Sequence, residues 1–275
     1  MELKSLLDQP HKLPTVPAVT QKLIASFSDE DVSFKQIAAQ ITADPALTAK
    51  LLRLANSAYF HLSRTIGTVD EALQMLGFVM VRNLVLGNGM ANAFRNTKGM
   101  DLQQFWLYNL YAASSARWLA VKAGANSDLA FTVGLMHGLG QLQMHVAAPD
   151  AVLPLDKVKP VLDAGRAALE TEKLGFHHGE VAAELAAMWN FPAPIVQALR
   201  HVPDPLVPAE FSAASGCVHL GAWIARNAIA KASAAQLQNS FPQAVANQLG
   251  VAWELVGSDM PPVSELSAGL EDMLA

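Results

Sequence analysis

Cysteine is nearly absent from the 275-residue sequence: Cys217 stands alone, so no intramolecular disulfide can form and a reducing compartment is expected. Charge is also scarce. Charged residues make up 16% of the chain, and 19 Lys+Arg against 24 Asp+Glu leave a net charge of −5. With no cluster of basic residues, neither nucleic acid nor an anionic membrane is expected as a main partner. No uncharged apolar run reaches membrane-spanning length, and Met1 to Lys4 lack the apolar core of a signal peptide, so a cytoplasmic soluble protein is expected. No stretch alternates with period two between hairpin turns, which argues against strands and for an all-α fold. Nucleophile elbow, phosphate-cradling glycine loop and paired-cysteine metal motif are all missing, as are repeats and low-complexity tracts. The sequence shows no receiver, cyclase or kinase domain, so input and output are expected from a separate chain.

Apolar residues, by contrast, reach 52%, enough for a large core in one or two domains. Helical signals follow one another along the chain. After the extended Leu13-Pro-Thr-Val-Pro17, a helix is expected from Ala18 with Val19, Leu23 and Phe27 four apart, then a polar turn at 28–33 and a helix over Phe34–Ile41. Asp44-Pro45 pairs an N-cap with a first-turn proline, and Leu47, Leu51, Leu54 and Ala58 continue that helix. Thr68 opens the next helix, Gly77 ends it, and Val79–Phe94 follows. The polar stretch 95–101 is expected to join two lobes, and Leu107, Leu110, Tyr111, Ser114, Trp118 and Val121 trace one face of a helix beyond it.

Asn126, Ser127 and Asp128 cap an apolar run in which Phe131, Leu135 and Leu139, like Val133, Met136 and Gly140, recur at helical spacing, with His137-Gly138 inside it. Pro149 and Pro154 suggest a connection over 149–156, and Pro160 a helix start. His177-His178 lie in a loop bracketed by Leu174-Gly175 and Gly179. Val181, Leu185, Met188 and Trp189 stripe a helix that Pro192 stops. Pro194 restarts one that runs to His201. The proline-rich link 202–208 precedes a helix around Cys217–Lys231 and a tail with Trp253.

Several stretches, in order, resemble one family: Leu13-Pro-Thr-Val-Pro17, Asp44 to Asn56-Ser57, Ala72 to Gly77, Gly134-Leu-Met-His137-Gly-Leu-Gly140 and Trp189-Asn-Phe-Pro192. Together they look like an HDOD domain, the HD-related output domain of bacterial signalling proteins, over roughly residues 10–210. The resemblance implies an HD-domain-like helical bundle with an N-terminal lobe (about 1–100), an HD-like lobe (about 101–208) and a C-terminal helical extension (209–275) completing it. It implies a non-catalytic relative of metal-dependent phosphohydrolases. By that resemblance, the first metal-binding histidine of an HD site would fall at Tyr108 or Asn109. The central His-Asp pair becomes His137-Gly138, and Ala222 takes the place of the later aspartate. His178 and His201 match positions where some HD relatives carry further histidines.

Tyr108, His137, His178 and His201 are therefore the remnant-site or ligand candidates, with no catalytic residue, metal ligand set or cofactor expected. A hard divalent ion needs anionic oxygen ligands, and these positions supply none. Each residue also has a plainer explanation. His137 fits a buried, hydrogen-bonded histidine, His177-His178 a helix start, and His201 a helix C-terminus. The caps and Asn56-Ser57 read as architecture, and Trp106, Trp118 and Trp189 as core filling. The functional expectation is a regulatory module acting on a signalling protein partner, through a groove between the N-terminal lobe and the helix starting near Leu102. Arg53, Arg82 and Arg117 are its candidate polar contacts. The alternatives are a small-ligand (nucleotide) sensor in the old HD pocket and, behind it, a divergent phosphohydrolase using His137, His178 and His201.

Overall fold

The structure is a computed structural model and describes residues 2–26, 34–57 and 64–271. Expectations that rest on Phe27, the turn at 28–33 and Ala58 lie outside those residues. Among the described residues every regular element is helical. The first half holds α1 (Leu3–Leu7), α2 (Ala18–Ala25), α3 (Phe34–Thr42), α4 (Pro45–Ala55), α5 (Val69–Leu76) and α6 (Phe78–Ala93). The expected boundaries follow from local chemistry. Asp44 accepts from the amides of Ala46 and Leu47, both at 3.0 Å, and starts α4 with Pro45 at a position that needs no donor. Gly77, at φ 78°, turns the chain from α5 into α6. Asn56 is architectural, as expected. Its amide donates to Leu52 O and Ile66 O and its oxygen accepts from Ile66 N, tying the segment before α5 to the end of α4.

After the connection at 94–101 come α7 (Leu102–Lys122), α8 (Ser127–Met136), α9 (Leu139–Ala147), α10 (Pro149–Asp156), α11 (Arg166–Leu174), α12 (His178–Met188) and α13 (Ala193–His201). The last part holds α14 (Ala213–Ile229), α15 (Ala234–Ser240), α16 (Gln243–Leu249), a π-helical turn at Leu255–Asp259 and α17 (Val263–Leu266). Helix α7 is the axis: α8 and α14 pack along it, and α12 packs on α9 and α13. None of the described helices is long and apolar enough to cross a membrane.

The stripe read along α7 is buried only in part: Leu110 and Ser114 are buried but Val121 is 64% exposed, while Ala112, Ala113, Ser115 and Ala116, outside the stripe, are fully buried. Small residues do this packing because neighbouring backbones come close. A Cβ at Gly134 of α8 would run into Ala113, and one at Gly221 of α14 into the Ala112 carbonyl.

Two proline readings also change. Residues 149–156 form α10 instead of a connection. Pro149 sits where its missing N–H costs nothing, and the burial of Val152 and Leu155 outweighs the one bond that Pro154 forfeits. Pro160 opens no helix. The Asp163 amide closes a turn on Pro160 O, Asp163 Oδ1 accepts from Gly165 N, and α11 starts only at Arg166.

The two halves share one continuous cluster of buried side chains that includes Leu6, Leu51 and Leu84 as well as Leu119, Leu142 and Leu199. Polar ties cross as well: Lys12 Nζ donates to Ala147 O (3.0 Å) and Thr132 Oγ1 to Asn83 Oδ1 (2.9 Å).

Candidate functional site

The apolar run around His137 is two helices, not one, and two side chains cause the break. In a continuous helix the Gly138 amide would donate to the Gly134 carbonyl. Instead His137 Nδ1 occupies that carbonyl at 2.6 Å, and the Gly138 amide donates to Asn109 Oδ1 of α7 at 3.1 Å. Asn109 is itself fixed through its amide to Phe105 O (2.8 Å). The bond to Gly134 O holds the His137 ring on the last turn of α8, where it faces Tyr108 of α7. Position 138 itself has no room for a side chain: a Cβ at Gly138 would lie 2.6 Å from Phe105 Cζ and 2.7 Å from Asn109 Oδ1.

His137 is buried, and its pKa is lowered to about 3, first by burial and then by the charges of His178 and Arg226, against the favourable bond to Gly134. The ring is therefore neutral, with its proton on Nδ1 facing a carbonyl that can only accept. Its Nε2 has no hydrogen-bond partner among the described residues. Tyr108 lies against the ring, centroids 5.2 Å apart, and its hydroxyl accepts from Arg226 Nη1 of α14 at 3.1 Å. Burial raises the Tyr108 pKa and keeps the phenol protonated. Tyr108, Ala112, Ala222 and Ala225 form a buried cluster separate from the main core, flanked by Tyr111, Leu162 and Ile229. His219, one face along α14 from Arg226, binds Val202 O through Nδ1 at 2.8 Å.

A chain of buried ions backs the site. His178 Nδ1 and the His178 amide both meet Glu170 Oε2, at 2.6 and 2.8 Å. Glu170 Oε1 accepts from Arg166 Nε (2.9 Å), and Arg166 Nη1 donates to Asp156 Oδ1 and Lys159 O. Asp156 Oδ2 in turn meets His145 Nε2 at 3.0 Å. Burial alone would raise the Glu170 pKa; His178 and Arg166 overcome it and bring the carboxyl down to about 2.

Sequence reasoning missed this chain and Arg226. Arg166 and Glu170 do stand at i and i+4, but that spacing far more often marks a solvated helix face, and nothing local tells which face is buried.

Of the sequence candidates, Tyr108, His137 and His178 come together; both proposed registers of the first position, Tyr108 and Asn109, face the turn. His201 stays half-buried in the last turn of α13, with no hydrogen bond to these groups. His178 opens α12, and His177 caps it: its Nδ1 accepts from the Gly179 amide while Glu180 returns a bond to the His177 amide. The residues present do not fit a divalent metal. Gly138 and Ala222 offer no ligand atoms, Glu170 is held by Arg166 and His178, and Arg226 puts a fixed positive charge in the site. Among the described residues no three His, Cys, Asp or Glu side chains converge as ligands.

Away from these residues, a concave feature lies where a groove was expected. A cavity of about 510 Å³ separates α6 from α7, with Ala91, Asn92 and Arg95 on one side and Leu102, Trp106 and Leu107 on the other. Arg53, Arg82 and Arg117 do not line it. Arg82 lies over the Phe78 ring, and Arg117 reaches Asp128 (3.8 Å) and the Phe131 ring.

The sequence model of the HDOD domain matches residues 13–205. The chain belongs to the HDOD family. The HDOD chain is similar, at 26% identity and a TM-score of 0.81 over 98% of both chains, to the crystal structure of a "Putative phosphohydrolase" from Shewanella amazonensis SB2B. It shares the fold of a "Putative signal transduction protein" from Marinobacter aquaeolei VT8, at 21% identity and a TM-score of 0.74, covering 98% of this chain and 61% of that one. An "Uncharacterized protein" of Treponema pallidum (strain Nichols) is 27% identical over 210 residues, which are 75% of this chain. The chain spans 41% of that relative's length.

Proposed function

We propose that this HDOD chain is a non-catalytic, cytoplasmic signal-transduction module that acts by binding a partner protein in the α6–α7 groove. The observation that carries the reading is the pair of stripes facing each other there. Asn88, Ala91, Asn92 and Arg95 recur at three- and four-residue spacing on one wall, and Gln103, Trp106, Leu107 and Leu110 do so on the other. Two helical stripes with apolar centres and amide edges offer the seat that a third, amphipathic helix fills. The groove ends carry opposite charge. Arg95 lies beside the connection between the helices, and Glu271 lines the groove and acts electrostatically on Tyr111, toward the other end. The occupant is therefore a helix of a partner protein with an apolar stripe, an acidic group at one end and a basic group at the other.

The absence of catalysis is supported by the packing around Gly138, which excludes an acidic ligand, and by Arg226 in the site.

The test compares groove variants (Ala91→Arg, Leu107→Glu) with pocket variants (His137→Ala, His178→Ala) in binding to the identified partner. Groove variants are expected to lose at least tenfold in affinity and pocket variants little. Loss in the pocket variants with intact groove variants would replace this reading with the small-ligand sensor.

A further inference from the structure

In the old HD site the metal's charge is replaced, not merely lost. Arg226 donates to the Tyr108 hydroxyl at 3.1 Å, and no carboxylate among the described residues forms an ion pair with it. Its charge bears on His137, Tyr108 and His219, so the guanidinium stands amid the groups that converge on the site. Glu170 is already bound by Arg166 and His178, and the other carboxylate that bears on this region, Asp204, acts on His219. His137 points a bare lone pair inward: Nδ1 is committed to Gly134 O, and the buried Nε2 has no donor facing it. Tyr108 accepts from Arg226 and keeps its own hydroxyl proton free to donate. A buried acceptor without a partner costs about 1–3 kcal/mol and marks a place where a ligand or water completes the bonding.

We propose that Arg226, Tyr108 and His137 form a metal-independent site for a protonated phosphoryl group. The three groups ask for different things from one small ligand. Arg226 and Tyr108 each need an anionic oxygen to accept a hydrogen bond, and His137 Nε2 needs a donor. A monoprotonated phosphate or phosphomonoester supplies both, P–O⁻ to the guanidinium and phenol and P–OH to the imidazole. Sulfate at neutral pH is an anion of the same shape but has no proton to give, and a metal ion would be repelled by Arg226. This site is separate from the α6–α7 groove, so its failure would leave the docking reading standing.

The experiment is calorimetric titration of the full chain at pH 6, where a phosphomonoester still carries its proton in about half of the molecules, in EDTA, with orthophosphate, methyl phosphate and sulfate at matched ionic strength. Orthophosphate is expected to bind and sulfate to bind at least tenfold more weakly. Arg226→Met should abolish phosphate binding while the variant keeps the wild-type circular dichroism spectrum. His137→Phe should bring phosphate down to the level of sulfate, because only the donor-dependent part is lost. Binding of methyl phosphate as well would identify a phosphomonoester tip as the ligand; binding of orthophosphate alone would identify the free ion. Absence of phosphate binding in the wild-type protein, equal binding of sulfate, or a folded Arg226→Met that still binds would each overturn the proposal.

Discussion

Replacing Glu170 by glutamine tests the ion chain behind the site. In the native protein one carboxylate oxygen takes two donors from His178 and the other takes Arg166 Nε, and the side chain is fully buried. Glutamine keeps the shape but loses the charge, and it must turn an NH₂ group toward donors on one side or the other. The fall of the Glu170 pKa from 4.5 to about 2 is, at about 1.4 kcal/mol per pH unit, roughly 3 kcal/mol of stability. Removing one partner of a buried ion pair costs about 3–5 kcal/mol by general experience, so two routes agree. Because the folded pKa is the lower one, this stability is complete above pH 4.5 and is lost as the pH falls toward 2. His137 adds a separate acid-labile contribution between 6.5 and about 3, since its buried ring resists the proton that the unfolded chain takes up. That contribution is common to both proteins and cancels in their difference. Urea unfolding followed by circular dichroism at pH 7, 5 and 3 should therefore give a deficit of about 3 kcal/mol for Glu170→Gln at pH 7, shrinking at pH 3. A deficit under about 1 kcal/mol at pH 7, or one that does not change with acid, would refute the network as a source of stability.

Gly138→Asp, which restores the sequence of an HD pair, should not restore a metal site. Its Cβ would collide with Phe105 and Asn109, so a loss of about 1–3 kcal/mol is expected, and elemental analysis should find no stoichiometric iron, manganese or zinc in either protein. Tight metal in the variant would show that the pocket re-forms. Leu51→Ala, at a fully buried position of α4, should cost about 2–5 kcal/mol in chemical denaturation. Trp189, striped with Met188 as a core residue by its spacing, is only half-buried and Met188 is 48% exposed, so Trp189→Ala should fall below the roughly 3–5 kcal/mol of a buried tryptophan. A larger loss at Trp189 than at Leu51 would reverse that ranking.

The helical class, the capped starts of α4, α5 and α8, and the HDOD motifs were legible in the sequence because caps, prolines and apolar spacing act within a few residues. So was the inability of Gly138 to ligate anything, since a glycine has no side chain wherever it is placed. The break at 137–138 was not legible. It depends on Asn109, 29 positions away, supplying the acceptor that the helix would otherwise provide. The full extent of the buried face of α7 was not legible for a related reason. Beside Phe105, Trp106, Leu110 and Leu119 the helix buries alanines and serines, whose hydrophobic signal is weak and whose value is the close approach they allow to Gly134 and Gly221. Arg166, Glu170, Asp156 and His145 look like an ordinary polar surface in one dimension. Packing α9, α10, α11 and α12 together takes them largely out of water and pairs them with one another and with His178. Arg226 reaches Tyr108 across 118 residues of chain, and only that meeting turns a solitary arginine into the charge at the centre of the site. Local bonding is written in neighbouring residues, but burial and charge pairing between distant ones exist only once the helices are packed.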